Sequence, residues 1–201
     1  MKYPPRSTQD IVALIDANPL CWVVSNGADG FSATPLPLLA ETDADGVLTS
    51  LFGHFAINNP QVEQLLASPG ATILVTGPHA YISPGLVAEP TWVPTWNYAM
   101  AKIDVEIAFV PDETRESVER LTNRMEAGEA SPWTIADTGQ RLESMLRRII
   151  AFRANVVSTD GRFKLGRDER PETLEQIMGG LQDKAVVDWM ALYNSDRIGA
   201  E

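Results

Sequence analysis

The side chains best suited to binding chemistry are concentrated in one 22-residue segment, from Gly77 to Tyr98. The chain has two histidines, five tryptophans and four tyrosines, and this segment holds five of those rings: His79, Tyr81, Trp92, Trp96 and Tyr98. Four prolines and two glycines interrupt the segment, so we predict a rigid, largely irregular backbone. The aromatic rings, together with the polar side chains of Ser83, Thr95 and Asn97, indicate a site for a flat polar ligand. Alternatively, the rings fill the core and a subunit interface while the prolines brace a loop.

A second block, Gly53–Gln61 (GHFAINNPQ), contains the other histidine, His54. It follows the apolar run Val47–Phe52, and glycine, asparagine and proline punctuate it as they do the first block. Residues at strand ends and on adjoining loops are the ones that a rigid scaffold usually positions for binding. We therefore predict that His54 and His79 contribute to one site.

Together the two blocks resemble the PaiB-type FMN-binding split-barrel family, as does the opening Met1–Pro5 with a short helix and a strand after it. The resemblance runs from residue 1 to about Leu165. It implies a mainly β fold with helices (α+β), namely an FMN-binding split β-barrel with appended C-terminal helices. It also implies a homodimer with FMN near the subunit interface. Proteins of this type are labelled negative transcriptional regulators, although flavin-dependent oxidases and reductases share the fold.

The resemblance also implies a set of FMN-binding residues. The phosphate of FMN needs amide or hydroxyl donors or a cation, and its ring needs flat faces and donors. The matching blocks place the candidates at His54, Asn59, Gln61, His79, Tyr81, Ser83, Trp96, Asn97 and Tyr98, with Lys164 as a phosphate partner. Each has a structural alternative: the histidines could cap strand ends, Trp96 could lie in the core, Asn97 could hold a turn and Asn59 could cap a helix.

Three segments depart from the family pattern. Gly85–Val87 replaces an expected Trp-Tyr pair, Lys102–Asp104 lies where a histidine and a glycine are expected, and Gly166–Asp168 replaces Ser-Gln-Asn. Three functions therefore stay open. The chain could be an FMN-dependent oxidoreductase acting on a small molecule, with substrate and electron donor unknown. It could be a flavin-binding regulator or sensor that acts through a partner, or a barrel that has lost FMN and binds another ligand.

Other chemistries find no support in the sequence. No G-x-G-x-x-G opens a helix after a strand, which argues against a Rossmann site. His54 and His79 lack the close ligand pair that zinc requires, so we predict no metal. Ser83 near His79 lacks the context of a catalytic serine, and the sequence assigns no catalytic residue.

Charge and hydropathy limit the partners. The formal net charge is −11, with 27 acidic and 16 basic residues, which argues against direct nucleic-acid binding. The basic run Arg147–Arg153 reads as the polar flank of a helix that leads into a strand. No apolar stretch approaches the ~18 residues of a membrane span, and the N-terminus lacks a secretion-signal core, so we expect a cytoplasmic protein without membrane contact. Cys21, in an apolar run, is expected to be a buried, inert thiol.

The elements that must position these residues follow from local patterns. We predict one domain over residues 1–201, with a barrel core at about 20–165 and a C-terminal helical segment at about 170–195. Ser7 with Asp10 begins the first helix, and Asn59-Pro60 begins the second. The other predicted elements are strands Trp22–Ser25, Phe31–Leu39, Val47–Phe52, Ala71–Thr76 and Met100–Val110, helices at Asp112–Glu126 and Leu142–Ile150, and a hairpin over Phe152–Leu165 about Thr159-Asp160-Gly161. Two last helices follow, with apolar stripes at Leu174–Leu181 and Val186–Tyr193.

Overall fold

The computed structural model describes residues 2–27 and 30–198. Over these residues it has seven strands: β1 (Leu20–Gly27), β2 (Gly30–Pro37), β3 (Leu39–Thr42), β4 (Leu48–Ala56), β5 (Gly70–Ile82), β6 (Thr95–Phe109) and β7 (Ile149–Lys164). The helices in the same ranges are α1 (Thr8–Ala17), α2 (Pro60–Ala67), α3 (Thr114–Met125), α4 (Leu142–Leu146), α5 (Pro171–Gly180) and α6 (Lys184–Tyr193). The strands form one sheet in the order β2-β1-β5-β6-β7-β4-β3, which makes the chain a mixed α+β protein.

The chain separates into two compact units. Among the described residues, unit 1 comprises 2–5, 76–100 and 161–198, and unit 2 comprises 6–27, 30–75 and 101–160. The one-domain arrangement, with its core at about 20–165, stays a prediction. No helix within the described ranges combines the length and apolar character needed to cross a membrane.

Unit 2 has an apolar core built from the inward faces of its strands and from α1. Leu14, Val23, Leu51, Phe55 and Ile73 are all fully buried. The α1 helix begins as predicted, because Ser7 and Asp10 form a capping box at its first turn. Cys21 is also fully buried, and burial raises the pKa of its thiol to about 12, so the predicted buried cysteine is confirmed.

A charged cluster attaches α3 to the strands beside it in unit 2. The Glu41 carboxylate on β3 accepts hydrogen bonds from Arg120 on α3 at 2.6 Å and from Arg153 on β7 at 2.8 Å. Both guanidinium groups lie over the Phe52 ring, at 4.8 and 4.6 Å from its centroid. Burial alone would raise the pKa of Glu41, but the hydrogen bonds from Arg153, Ser50 and Arg120 lower it to about 2.

Unit 1 has its own aromatic packing at the end of β7. Phe163 stacks on Tyr193 of α6 at 5.1 Å between ring centroids, and Trp189 lies 6.0 Å from Phe163. The turn that follows β7 needs glycine, because Gly166 has φ +81° and a Cβ there would lie 2.7 Å from Leu174 Cδ1. These contacts hold α5 and α6 against the end of the strand.

The prediction of an irregular backbone over Gly77–Tyr98 is wrong at both ends. β5 continues to Ile82 and β6 starts at Thr95, so only residues 83–94 are irregular. Pro78 lies beyond the part of β5 that pairs with β1, which runs from Thr72 to Leu74, so its missing N–H breaks no bond to β1.

The predicted hairpin over Phe152–Leu165 is also wrong. β7 runs without a turn from Ile149 to Lys164, and Asp160-Gly161 lies inside it. Gly161 marks a close approach instead, because a Cβ there would lie 3.3 Å from Pro5 Cδ and 3.0 Å from Phe163 Cε2. A local turn signal cannot distinguish these two uses of glycine.

Two further boundaries differ from the predictions. The strand expected over Phe31–Leu39 is divided into β2 and β3, because buried Leu38 interrupts it. The helix expected over Leu142–Ile150 ends at Leu146, and Ile149 and Ile150 begin β7. The short apolar run at Ile149 and Ile150 is compatible with a helix or a strand, and it forms a strand because it pairs with β4.

Candidate functional site

His54 lies on β4 in unit 2 and is half-buried. Its Nδ1 is 2.9 Å from Oγ of Ser117 on α3, whose side chain is almost fully buried. Burial lowers the pKa of His54, so its imidazole is neutral at pH 7. One ring nitrogen is therefore engaged inside unit 2, and a cofactor contact by His54 stays a prediction.

Asn59 and Gln61 make structural contacts within unit 2. Asn59 caps α2, since its Oδ1 accepts from the Gln61 backbone N–H at 2.9 Å and its Nδ2 donates to Thr34 at 3.1 Å. Gln61 is buried, with Nε2 donating to Val23 O at 3.0 Å and to Ser25 Oγ at 2.9 Å. The Gln61 Oε1 accepts from the Thr34 hydroxyl at 2.6 Å. The helix-cap alternative for Asn59 is what the structure shows, and ligand contacts by either amide stay predictions.

The rings of His79, Tyr81 and Trp96, here called the aromatic surface, lie together in unit 1. His79 and Tyr81 are on β5 and Trp96 is on β6. Ring centroids are 6.4 Å apart for His79–Trp96, and 5.9 Å apart for Tyr81–Trp96 in an edge-on arrangement. Tyr81 and Trp96 are 49% and 53% exposed, so Trp96 is not in the core. The structure brings together these three predicted residues and leaves their faces accessible.

The other predicted residues of the same segment point elsewhere. Ser83 accepts from the Gly85 backbone N–H at 3.2 Å and so starts the turn Pro84–Leu86. Asn97 is buried and donates to Met190 Sδ of α6 at 3.4 Å, and Tyr98 is half-buried. Because side chains alternate along β6, Asn97 and Trp96 lie on opposite faces of the strand.

Lys164, the last residue of β7, is half-buried beside Thr95. Its ammonium donates to the Thr95 hydroxyl and lies 5.8 Å from the centroid of the Tyr3 ring. Within the described part of the chain Lys164 forms no salt bridge, although acidic residues outnumber basic ones. A lysine next to a hydroxyl, without a carboxylate partner, has the chemistry of a phosphate site.

The segment Gly166–Asp168, which departs from the family pattern, is committed to internal contacts of unit 1. Arg167 donates to the Tyr193 carbonyl and to Asp196 at 2.9 Å. Asp168 accepts from the Tyr3 hydroxyl at 2.7 Å. Where the family pattern has Ser-Gln-Asn, the side chains of this loop therefore bind the end of α6 and the N-terminal residues.

The irregular loop at residues 83–94 is attached to the segment that follows β7. Trp92 Nε1 donates to Glu169 at 3.2 Å, and the Ala88 N–H donates to Gln176 of α5 at 2.8 Å. A side chain at Gly180 would collide with Leu86, at 2.7 Å. The loop is therefore held in one place by α5 and the turn before it.

The structure thus sorts the predicted residues into three groups. His54, Asn59 and Gln61 belong to unit 2, and the shared site of His54 and His79 stays a prediction. In unit 1 the aromatic surface lies on one face of β6, while Asn97 and the Lys164–Thr95 pair lie on the other. Thr95 and Tyr3 both contact Lys164 but were not among the predicted ligands. Thr95 could have been found from its position in the aromatic segment, whereas nothing in the sequence indicated the contact of Tyr3.

Unit 2 has a groove of about 470 Å³ that none of these residues lines. Its walls include Phe31 and Val157, and two carboxylates, Asp104 and Glu106. Asp104 is engaged by Lys102 at 2.6 Å and by Thr72 at 2.8 Å. Acidic walls repel a phosphate, and none of the predicted site residues lines the groove, so it is not our candidate site.

Comparison with known proteins identifies relatives over most of the chain. Residues 2–158 match the model of a family described as "Putative FMN-binding domain". The protease synthase and sporulation protein PAI 2 of Bacillus subtilis is 26% identical over 181 residues, covering 89% of this chain and 86% of the relative. A solved structure of an FAD and heme binding protein from Mycobacterium smegmatis has a TM-score of 0.62 at 18% identity, covering 90% of this chain and 81% of the other. The flavocytochrome Anf3 from Azotobacter vinelandii has a TM-score of 0.57 at 12% identity, covering 81% and 76%.

These similarities confirm the predicted class, a mixed α+β split-barrel fold with added helices. The family match ends at residue 158, so Lys164, the turn at Gly166 and helices α5 and α6 lie beyond it. Over the part that carries the first two blocks, the chain belongs to the FMN-binding domain family and is PaiB-like.

Proposed function

We propose that this protein binds FMN and that the flavin ring lies against the aromatic surface. The observation that carries this proposal is the contact of three exposed rings, His79, Tyr81 and Trp96, at the ends of neighbouring strands. Aromatic faces of this kind suit a flat ring that also carries polar edges. Membership in the FMN-binding domain family supports FMN over other flat ligands.

The phosphate is assigned to Lys164 and Thr95. Lys164 supplies a positive charge without a carboxylate partner in the described residues, and Thr95 supplies a hydroxyl. Because Thr95 and Trp96 are consecutive in β6, their side chains leave opposite faces of the strand. One FMN would therefore have to pass around the start of β6 to contact both groups, and the ring assignment and the phosphate assignment are tested separately.

We further propose an oxidoreductase that acts on a small molecule. When bound, FMN supplies the electron-transfer chemistry, and the protein binds and orients it. Tyr81 and Trp96 are about half exposed, so a second reactant could approach a flavin held on the aromatic surface. A flavin-binding regulator would bind FMN in the same way but would not turn over an electron donor.

We also propose that two copies of the chain associate through unit 2. Leu20 and Trp22 on β1 and Leu74 on β5 are exposed, and Trp22 and Leu74 are directly aligned across the strands. They alternate with the buried Cys21 and Val23, so one outer face of this strand pair is apolar. Exposed apolar patches of this kind mark interaction surfaces.

The test is a titration of flavin-free protein with FMN and, separately, with riboflavin, which lacks the phosphate. Trp96→Ala should weaken binding of both flavins about tenfold, since stacking of a flat ring on an aromatic side chain typically contributes that much. Lys164→Met should weaken FMN alone. Trp133→Ala is the matched control, because Trp133 is 45% exposed and belongs to unit 2, so both flavins should bind as in the wild type.

The outcomes separate the three function classes. If the wild type binds neither flavin, the proposal is rejected in favour of a barrel that has lost FMN. If FMN binds and a nicotinamide donor reduces it with turnover, the oxidoreductase is supported. If FMN binds without turnover of any donor tried, the regulator or sensor becomes the better description.

A further inference from the structure

Tyr3 has an unusual backbone conformation. Its φ is +63°, and it is the one non-glycine residue with positive φ in the described ranges. A side chain in this region is strained, so surrounding contacts must hold it there. The strain directs attention to what the Tyr3 side chain contacts.

The N-terminal arm, residues 2–5, is fixed on β7 by backbone contacts. The Tyr3 carbonyl accepts a hydrogen bond from the Phe163 N–H at 2.8 Å. Two residues on, Pro5 packs where Gly161 lacks a side chain, and a Cβ there would approach Pro5 to 3.3 Å. One contact is at the strained residue itself and the other is two residues after it, and together they place the Tyr3 ring at the end of β7.

The Tyr3 side chain contacts a cation and an anion at once. Its ring centroid is 5.8 Å from Lys164 Nζ, and its hydroxyl donates to Asp168 Oδ2 at 2.7 Å. On the arm itself, Lys2 Nζ lies 4.9 Å from the same ring. Burial raises the pKa of Tyr3, so the hydroxyl stays protonated and keeps donating to the carboxylate at physiological pH.

We propose that Tyr3 is a positioning residue for Lys164: its ring holds the ammonium beside Thr95 while its hydroxyl occupies Asp168, which leaves Lys164 available for the phosphate of the ligand. This inference rests on the proposed function for the identity of that ligand. Lys164 and Asp168 are four residues apart at the end of β7, on either side of one turn. Without Tyr3, a lysine and a carboxylate so placed would pair, and the carboxylate would compete with a phosphate.

The first experiment removes only the hydroxyl. Tyr3→Phe keeps the ring over Lys164 but releases Asp168, so FMN binding should weaken about tenfold while riboflavin binding is unchanged. Asp168→Asn in the Tyr3→Phe background should restore FMN binding. Glu175→Gln on α5 controls for net charge, since it removes one exposed carboxylate outside these contacts and should restore nothing.

A double-mutant cycle tests whether Tyr3 acts through Lys164. In a Lys164→Met background, Tyr3→Phe should have no further effect on FMN binding, because the group that it positions is gone. A purely structural role predicts a different result: Tyr3→Phe would weaken FMN and riboflavin alike, and Asp168→Asn would not rescue it. That result would overturn the inference.

The second experiment needs no flavin. Tyr3→Gly removes the ring, and glycine adopts φ +63° without strain, so the arm keeps its backbone conformation. Under limiting acetylation of the amines, read by mass spectrometry, Lys164 should be modified several-fold faster in the double variant Tyr3→Gly/Asp168→Asn than in Asp168→Asn alone, because the ring is gone and no carboxylate can pair with the lysine in its place. Lys184 on α6, which is exposed, is the internal reference.

The two experiments distinguish the inference from the proposed function. An unchanged acetylation rate at Lys164 would overturn the positioning role, whether or not FMN binds. A faster rate in a protein that binds no flavin would support the coupling of Tyr3 to Lys164 and would reject FMN as the ligand. Inorganic phosphate would then be the probe, and protection of Lys164 by phosphate in the wild type, weaker in Tyr3→Phe, would be the expected result.

Discussion

The imidazole of His54 on β4 and the hydroxyl of Ser117 on α3 are joined by a contact of 2.9 Å between Nδ1 and Oγ, across 63 positions of sequence. Ser117 is almost completely buried, so this pair lies where α3 covers the sheet in unit 2. Within the family block, His54 thus links β4 to α3 through Ser117.

The first prediction concerns pH. Burial lowers the folded-state pKa of His54 below its ordinary value of 6.5, so the unfolded chain binds the proton more readily than the folded one. The stability that neutral His54 contributes is present above pH 6.5 and is lost as the pH falls through the folded pKa. Denaturant unfolding at pH 7.5 and at pH 5.5 should show this loss in the wild type.

Two variants check the assignment to His54. In His54→Gln the decrease in unfolding free energy between those pH values should be smaller. His79→Gln is the matched control, because it replaces the other histidine of the chain, which is exposed on β5. Equal pH dependence in the wild type and His54→Gln would contradict the prediction.

A second prediction concerns Glu41. Hydrogen bonds from Arg153, Ser50 and Arg120 outweigh the effect of burial and hold its folded-state pKa at about 2, below the ordinary 4.5. The resulting stability is present above pH 4.5 and is lost as the pH falls toward 2. At neutral pH, Glu41→Gln should lower the free energy of unfolding by roughly 2 kcal/mol, since two guanidinium groups lose their shared carboxylate.

The measurement for Glu41 is urea unfolding as a function of pH. Glu119→Gln, on the exposed side of α3, should change the unfolding free energy little, as surface charges usually do. If the two variants were equally stable at pH 7, the cluster around Phe52 would not contribute in the way described.

The third prediction separates two costs of replacing glycine. Gly166 and Gly128 both have positive φ, at +81° and +101°, but only Gly166 would bring a Cβ into collision, 2.7 Å from Leu174. Gly128→Ala should cost about 1–2 kcal/mol for the backbone conformation alone. Gly166→Ala should cost at least about 1 kcal/mol more, because the core around Leu174 must also move. Thermal unfolding of both variants measures the difference, and equal costs would show that the turn accommodates the methyl group.

The fourth prediction concerns association. Trp22→Glu places a charge in the centre of the apolar face of β1 and β5, so it should convert the proposed dimer to a monomer in sedimentation velocity. Leu66→Glu is the control, because Leu66 is apolar and 65% exposed but lies on α2, which packs through Gln61 and Gln64 against Ser25, on the opposite face of β1 from Trp22. A wild type that sediments as a monomer at micromolar concentration, or a dimeric Trp22→Glu, would reject this interface.

Local signals in the sequence predicted much of the framework. The capping box at Ser7 and Asp10 and the Asn59-Pro60 start of α2 are confirmed, because a helix cap depends on residues only a few positions apart. The strand around Trp22 and the helices after Pro171 were likewise found from the period of apolar residues. Glycine and proline were wrongly interpreted as breaks where they lie inside strands, as at Gly161 in β7 and Pro78 in β5.

The candidate site was predictable only in part, for the same reason. The sequence by itself determined which rings are concentrated between Gly77 and Tyr98 and which family the chain resembles, since both depend on residue types and their order. Only the tertiary structure decided that Trp96 is exposed, that Gln61 is enclosed by its own hydrogen bonds, and that Tyr3 reaches a carboxylate 165 positions away. Contacts of this kind arise when separate strands and helices are packed side by side, and no local periodicity or spacing records which distant residues will meet.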